Sequence, residues 1–168
     1  MRDVRPAAVA GTFYPGNAAE LAVAVRECLA GTAAPVAPAA SPKALIVPHA
    51  GYVYSGPIAA GAYARLASLR STIRRVVILG PTHRVAVRGL ALPSARAFAT
   101  PLGDVEVDRE AVATLAGLRQ VVVSDSAHAL EHSLEVQLPF LQSVLDDFRI
   151  VPLAVGDASP GEVAEVRD

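Results

Sequence analysis

The chain has 168 residues, 52% of them hydrophobic and 18% charged, with a net charge of -1. That length predicts one domain over 1–168 with a core large enough to need no disulfide staples, and the composition excludes disorder. The single Cys28 excludes a disulfide framework or a CxxC module, and the interspersed charges argue against nucleic acid or an anionic membrane as partner.

The opening stretch MRDVRPAAVAGTFYPG has no apolar signal-peptide core, and no apolar run is long enough to span a bilayer. The expectation is a soluble, cytoplasmic protein. One Lys against 14 Arg, with 33 Ala, points on codon grounds to a GC-rich bacterial source.

Asn17 with Glu20 predicts the cap of a first helix, AAELAVAVRECLA, closed by Gly31. The Pro/Ala-rich GTAAPVAPAASP that follows reads as a surface loop. ALIVP is a compact apolar run of the kind that forms a strand buried on both faces. A helix is expected to start near Pro57. RRVVILG predicts a second buried strand, and RGLALPSARAFATPLGDVEV two short strand-like pieces around turns. Asp108 caps REAVATLAGL, QVVVS is a further buried strand, and SLEVQLPFLQSVLDD a helix that Pro139 should kink or break. Leu134, Leu138, Leu141 and Leu145 mark its buried stripe. RIVPLAVG is the last strand, and Ser159 with Pro160 opens a short final helix with no strand after it. Strands alternating with helices define an α/β class. The expected architecture is a mainly parallel, mixed central sheet with helices on both faces and a short antiparallel insert near 88–107.

Parallel α/β sheets bind ligands outside the carboxyl ends of their strands. All four histidines follow proposed strand ends there: His49 after ALIVP, His83 after VVILGPT, His128 and His132 after VVVSDSA. One such histidine would merely bond a local turn, but four on one edge favour a shared site. Imidazole suits zinc, copper and iron. Glu131 and Glu135 are the nearby carboxylates, readable equally as solvated acids at a helix start. Cys28, between Val25 and Leu29, reads as a structural thiol. Tyr52 and Tyr54 either line a pocket or pack in the core, with Tyr54 leaning to the pocket. HALEH, His128 to His132, matches the H-x-x-E-H pattern of some metalloproteases, in which Glu131 would act as base, but that reading leaves His49 and His83 unused. No P-loop, GxGxxG or GxSxG motif occurs.

Four motifs, AGTFYPG, PHAGYVYSG, ILGPTHR and EHSLEVQLPFLQ, taken in this order, resemble the Memo-like family, which in prokaryotes is protein B of the AmmeMemoRadiSam system. The resemblance implies an α/β fold related to class III extradiol dioxygenases, which are non-haem iron enzymes. It implies a metal site containing His49 and His83, with iron or copper as the expected divalent metal and zinc as a further option. Phe13, Tyr14 and Tyr54 fall where the family has pocket-lining aromatics, and Glu131 and His132 belong to a family signature, here expected to carry proton transfer. The resemblance also implies a longer chain, continuing with a strand, a Ser-Ser-Asp…His segment and a later Cys. Two functions follow: a metal-dependent, dioxygenase-like redox protein acting on a small molecule, or a non-catalytic module binding a (phospho)peptide or protein in the same pocket, with Arg84 as an anion contact. Other AmmeMemoRadiSam proteins are the expected partners.

Overall fold

The structure, a computed structural model, describes residues 3–32 and 42–166. Asn17 caps the first helix as its side chain dictates, its carbonyl oxygen accepting from the N–H groups of Ala19 and Glu20, and α1 runs Ala18–Ala30. All but Gly31, Thr32 and Pro42 of the expected Pro/Ala-rich loop lies outside the described residues.

The central sheet holds β2 (Arg75–Pro81), β3 (Leu90–Leu92), β6 (Val121–Val123) and β7 (Arg149–Val155) in the order β2-β7-β3-β6. β2 pairs with β7 and β3 with β6 in parallel, whereas β3 and β7 are antiparallel. Residues near 88–107 were expected to form one antiparallel insert. Instead β3 joins the central sheet, and only β4 (Ala97–Thr100) and β5 (Gly103–Glu106) form a hairpin. That hairpin takes β1 (Val4–Arg5) as a parallel third strand, giving a second sheet ordered β1-β4-β5. The fold is therefore α/β with two mixed sheets. The second sheet is joined to the first at Val107, which bridges Ile150 of β7.

Three strand expectations change in the structure. ALIVP forms no ladder: Leu45 and Val47 turn inward while Ile46 is wholly exposed. β2 is buried on one face only, with Ile78 inward and Val77 and Leu79 about half exposed. β6 likewise leaves Val122 and Val123 exposed. A short apolar run reports strand propensity, and whether its second face is covered depends on packing elsewhere in the chain.

Helix α2 runs Tyr52–Tyr63, five residues earlier than Pro57 suggested. The Ser55 hydroxyl donates to the Ala50 and Gly51 carbonyls across its first turn. Starting there also places Tyr52 inside, where its hydroxyl donates to the Val136 carbonyl at 2.7 Å. Helices α3 (Arg109–Leu115), α4 (Asp125–Ala129) and α6 (Pro160–Ala164) begin at Asp108, Ser124 and Ser159, each accepting a backbone N–H. Pro139 acts as expected: the segment splits into a single 3-10 turn, Glu135–Gln137, and α5, Leu138–Val144, with the proline in its first turn. All four leucines of the stripe are at most 2% exposed. Helices α1, α2 and α5 pack on one another, and Tyr63 stacks on Phe140 with ring centroids 5.2 Å apart.

Candidate functional site

The site is assembled by three loops that leave the sheet region at one edge. His49 follows the extended segment 44–48, His83 follows β2, and His132 lies on the turn between α4 and the 3-10 turn. Their rings converge, with centroids 5.3 Å apart for His49 and His83, 5.8 Å for His49 and His132, and 4.5 Å for His83 and His132. One ring nitrogen from each of the three lies within 4.8 Å of those of the other two. His49 and His132 are half-buried and His83 is exposed, so the cluster faces outward.

Glu131 organises this cluster from below. It is 3% exposed, and its carboxylate accepts from the backbone N–H groups of His83 at 2.7 Å, His132 at 2.8 Å and Ser133 at 2.8 Å. Its Oε1 also lies 2.9 Å from Nδ1 of His83 and 3.5 Å from Nδ1 of His132. Burial would raise its pKa, but the donors from Ser133 and His83 outweigh this and hold it down at about 2. An ionised carboxylate only accepts, so Nδ1 of His83 carries the proton and Nε2 is left as the free donor atom. Burial lowers the pKa of His132, and the Glu131 carboxylate opposes this. Four donors converge on the two oxygens of Glu131, which ties the loop carrying His83 to the turn carrying His132.

The turn carrying Glu131 and His132 is fixed by a buried cation that periodicity could not reveal. Arg5, on β1 and 5% exposed, donates from Nε to the His128 carbonyl at 3.0 Å, from a terminal nitrogen to the Glu131 carbonyl, and from the other to the Glu135 carboxylate. Glu135 is fully buried and also accepts from the N–H groups of Ala8 and Val9 and from the Tyr14 hydroxyl. From the other side, Gly80 admits the turn: a Cβ there would meet the Ser133 hydroxyl at 2.6 Å and Leu134 at 2.9 Å. The Ser133 hydroxyl donates to the Pro81 carbonyl at 3.0 Å.

A cleft of about 890 Å³ opens over the imidazoles, walled by Phe13, Ile46, Val47, Pro48 and Tyr54 together with His49 and His132. The Phe13 ring packs on His132 at 4.7 Å. No Lys or Arg lines this cleft among the described residues.

Of the sequence-predicted residues, His49, His83 and His132 come together, and Phe13 and Tyr54 reach the cleft. Tyr14 does not line it; it lies 3% exposed beneath, bonded to Glu135. The expectation that all four histidines share one site is corrected at His128, which points away. Its Nε2 donates to the Ala91 carbonyl at 2.9 Å, and its edge meets Phe98. The protease reading falls with it, because α4 ends at Ala129 and His128 and His132 share no helix face. Glu135, readable in the sequence as a site carboxylate or as a solvated acid, is the most enclosed carboxylate of the buried set. The signal for it was weak: EHSLEVQ places Glu135 four residues after Glu131, but nothing in the sequence pairs it with Arg5.

The Memo-like protein family matches residues 5–167. The chain belongs to this family. It is 46% identical over 166 residues to a MEMO1 family protein of Ignicoccus hospitalis, covering 94% of this chain and 58% of that protein. MEMO1 family proteins of Thermotoga neapolitana and Sulfolobus acidocaldarius are 39% and 37% identical, each with 60% of its length covered. The chain thus spans about three fifths of the length of these curated relatives. Among the described residues of this Memo-like chain, no helix is long and apolar enough to cross a membrane.

Proposed function

We propose that this Memo-like chain carries a mononuclear metal site in which His49, His83 and His132 hold a divalent transition metal, iron or copper, with zinc as the alternative. The observation that carries the reading is the relation of Glu131 to His83: a buried, ionised carboxylate lies 2.9 Å from Nδ1 of an imidazole that is grouped with two others. Metal-binding histidines characteristically donate their second N–H to such a partner. Three imidazoles match the preferences of these metals and leave positions open on the cleft side. His132, first expected as a proton-transfer residue, is assigned here as the third ligand, and Glu131 as the group that orients it and His83.

A bound metal would supply Lewis-acid or redox chemistry to a molecule in the cleft, and the reaction class that fits the family resemblance is dioxygenase-like oxidation. Phe13 and Tyr54 would hold the apolar part of a small-molecule or peptide ligand. Other AmmeMemoRadiSam proteins are the partners proposed for it. The alternative of a phosphopeptide module gains no support from the cleft, whose described lining offers a phosphate no cationic side chain.

The test is metal content after reconstitution with iron, copper or zinc, measured by elemental analysis on the wild type and on His49→Ala/His83→Ala and His132→Ala variants. About one equivalent in the wild type, lost in the double variant and weakened in the single one, is expected. Equal metal content in all three overturns the reading.

A further inference from the structure

Glu131 secures only two of the three imidazole-bearing segments. Its carboxylate accepts from the backbone N–H groups of His83 and His132, and none of its bonds reaches His49. His49 lies in a stretch, 44–50, in which no backbone group bonds another backbone group among the described residues. Beyond His49 the chain is anchored twice: the Ser55 hydroxyl donates to the Ala50 carbonyl at 2.8 Å, and the Tyr52 N–H donates to the Phe13 carbonyl at 2.7 Å. Ahead of His49, Pro48 has no N–H, so its carbonyl is the one backbone group by which that residue can be held. The Gln137 side chain holds it, Nε2 donating to the Pro48 carbonyl at 3.2 Å. Gln137 is 5% exposed, and its carboxamide is engaged at both ends. Nε2 also reaches the Ser133 carbonyl at 3.4 Å, and Oε1 accepts from the Tyr63 hydroxyl at 2.8 Å. Turned over, the amide would set its oxygen against two carbonyl oxygens, so those carbonyls fix which end faces them.

We infer, on the three-histidine reading proposed above, that Gln137 is the positioning residue for His49: its carboxamide holds the Pro48–His49 peptide against the turn carrying His132, at the spacing where the third imidazole joins the other two. The Pro48 carbonyl belongs to the peptide that continues into His49, and the Ser133 carbonyl follows His132 by one residue. One side chain therefore spans the two segments that Glu131 leaves unconnected. An apolar side chain in its place leaves both carbonyls without this donor and frees the chain ahead of His49. The anchors at Ala50 and Tyr52 then hold His49 from one side only.

The test uses the whole chain, first free of metal and then titrated with cobalt(II). In the metal-free wild type a proton–proton Overhauser contact is expected between the His49 and His132 rings, whose centroids are 5.8 Å apart. The Gln137 carboxamide protons should exchange about 100-fold slower than those of a free amide, as protected buried donors do. Gln137→Met keeps the length of the side chain and removes both donors. It is expected to abolish the ring contact and to raise the cobalt(II) dissociation constant about 10–100-fold, the range for losing an outer partner of a metal site. Tyr63→Phe removes one bond from the same carboxamide and leaves both donors in place. It should lower the urea midpoint while keeping the ring contact and the cobalt(II) affinity of the wild type, which separates positioning from a general loss of stability. A Gln137→Met variant with the wild-type ring contact and affinity overturns the inference, and so does a Tyr63→Phe variant that loses as much affinity. If Gln137→Met does not fold, the wild type decides: carboxamide protons that exchange like a free amide overturn the inference, and protected ones uphold it. A wild type that binds no cobalt(II) overturns the metal reading, and the ring contact in wild type and Gln137→Met still decides the role of Gln137.

Discussion

Glu131 bonds His83 twice, once at the backbone N–H at 2.7 Å and once at the ring Nδ1 at 2.9 Å. A single carboxylate therefore fixes where the residue sits and which ring nitrogen is free. Because the same carboxylate accepts from the N–H groups of His132 and Ser133, the loop after β2 and the turn after α4 are locked together.

Replacing Glu131 with Gln removes the charge and one acceptor oxygen while keeping the shape. The amide cannot accept all four donors, and Nδ1 of His83 loses an ionic partner. Metal affinity is expected to fall about 10–100-fold, the usual effect of losing an outer carboxylate partner. Titration with cobalt(II), followed by its visible absorption, measures this. An unchanged dissociation constant would remove Glu131 from the site's organisation.

Gly80 on β2 has no room for a side chain, with the Ser133 hydroxyl 2.6 Å and Leu134 2.9 Å from where a Cβ would stand. Gly80→Ala must push the 133–134 turn outward and is expected to cost about 1–3 kcal/mol, as overpacked core substitutions do. Urea denaturation gives the stability change, and cobalt(II) binding reports the accompanying displacement of His132.

Arg5 and Glu135 form a buried ion pair between the first strand and the 3-10 turn, with side chains 5% and 0% exposed. Arg5→Met leaves Glu135 charged without its cation and the His128 and Glu131 carbonyls without their donors. The expected loss is about 3–5 kcal/mol, the range for breaking one side of a buried pair. Tyr14→Phe removes only one neutral donor from Glu135 and is expected to cost about 1–2 kcal/mol. Chemical denaturation of the two variants should therefore rank them well apart.

His128 gives the fold a pH dependence of its own. Burial lowers its pKa to about 4 from the ordinary 6.5, with the donor bond to Ala91 opposing, and its Nδ1 has no hydrogen-bond partner among the described residues. The folded state holds His128 neutral, whereas the unfolded chain takes up a proton below pH 6.5. Its contribution is thus fully present above that pH and is lost as pH falls toward 4, by about 3 kcal/mol over the window. Unfolding free energies at pH 7.5 and pH 4.5 should differ accordingly, and His128→Gln should remove most of that difference. A variant with the wild-type slope would assign the effect elsewhere.

Three helix starts were legible in the sequence, because Asn17, Asp108 and Ser159 act on N–H groups two or three residues away, as were the leucine stripe of the α5 segment and the break at Pro139. Such features depend on short-range geometry. The sequence also drew attention to His49, His83 and His132, since strand ends in α/β folds carry ligand sites. The relations between distant segments came from the packing of the folded chain. His128 turns inward to Ala91, across 37 residues, and leaves three histidines where four were expected. Tyr14 serves Glu135 instead of the cleft, and Arg5 reaches 130 residues along the chain to the same carboxylate. ALIVP and VVILG have the composition of fully buried strands, but burial belongs to what packs on them, and here Ile46, Val77 and Leu79 remain exposed.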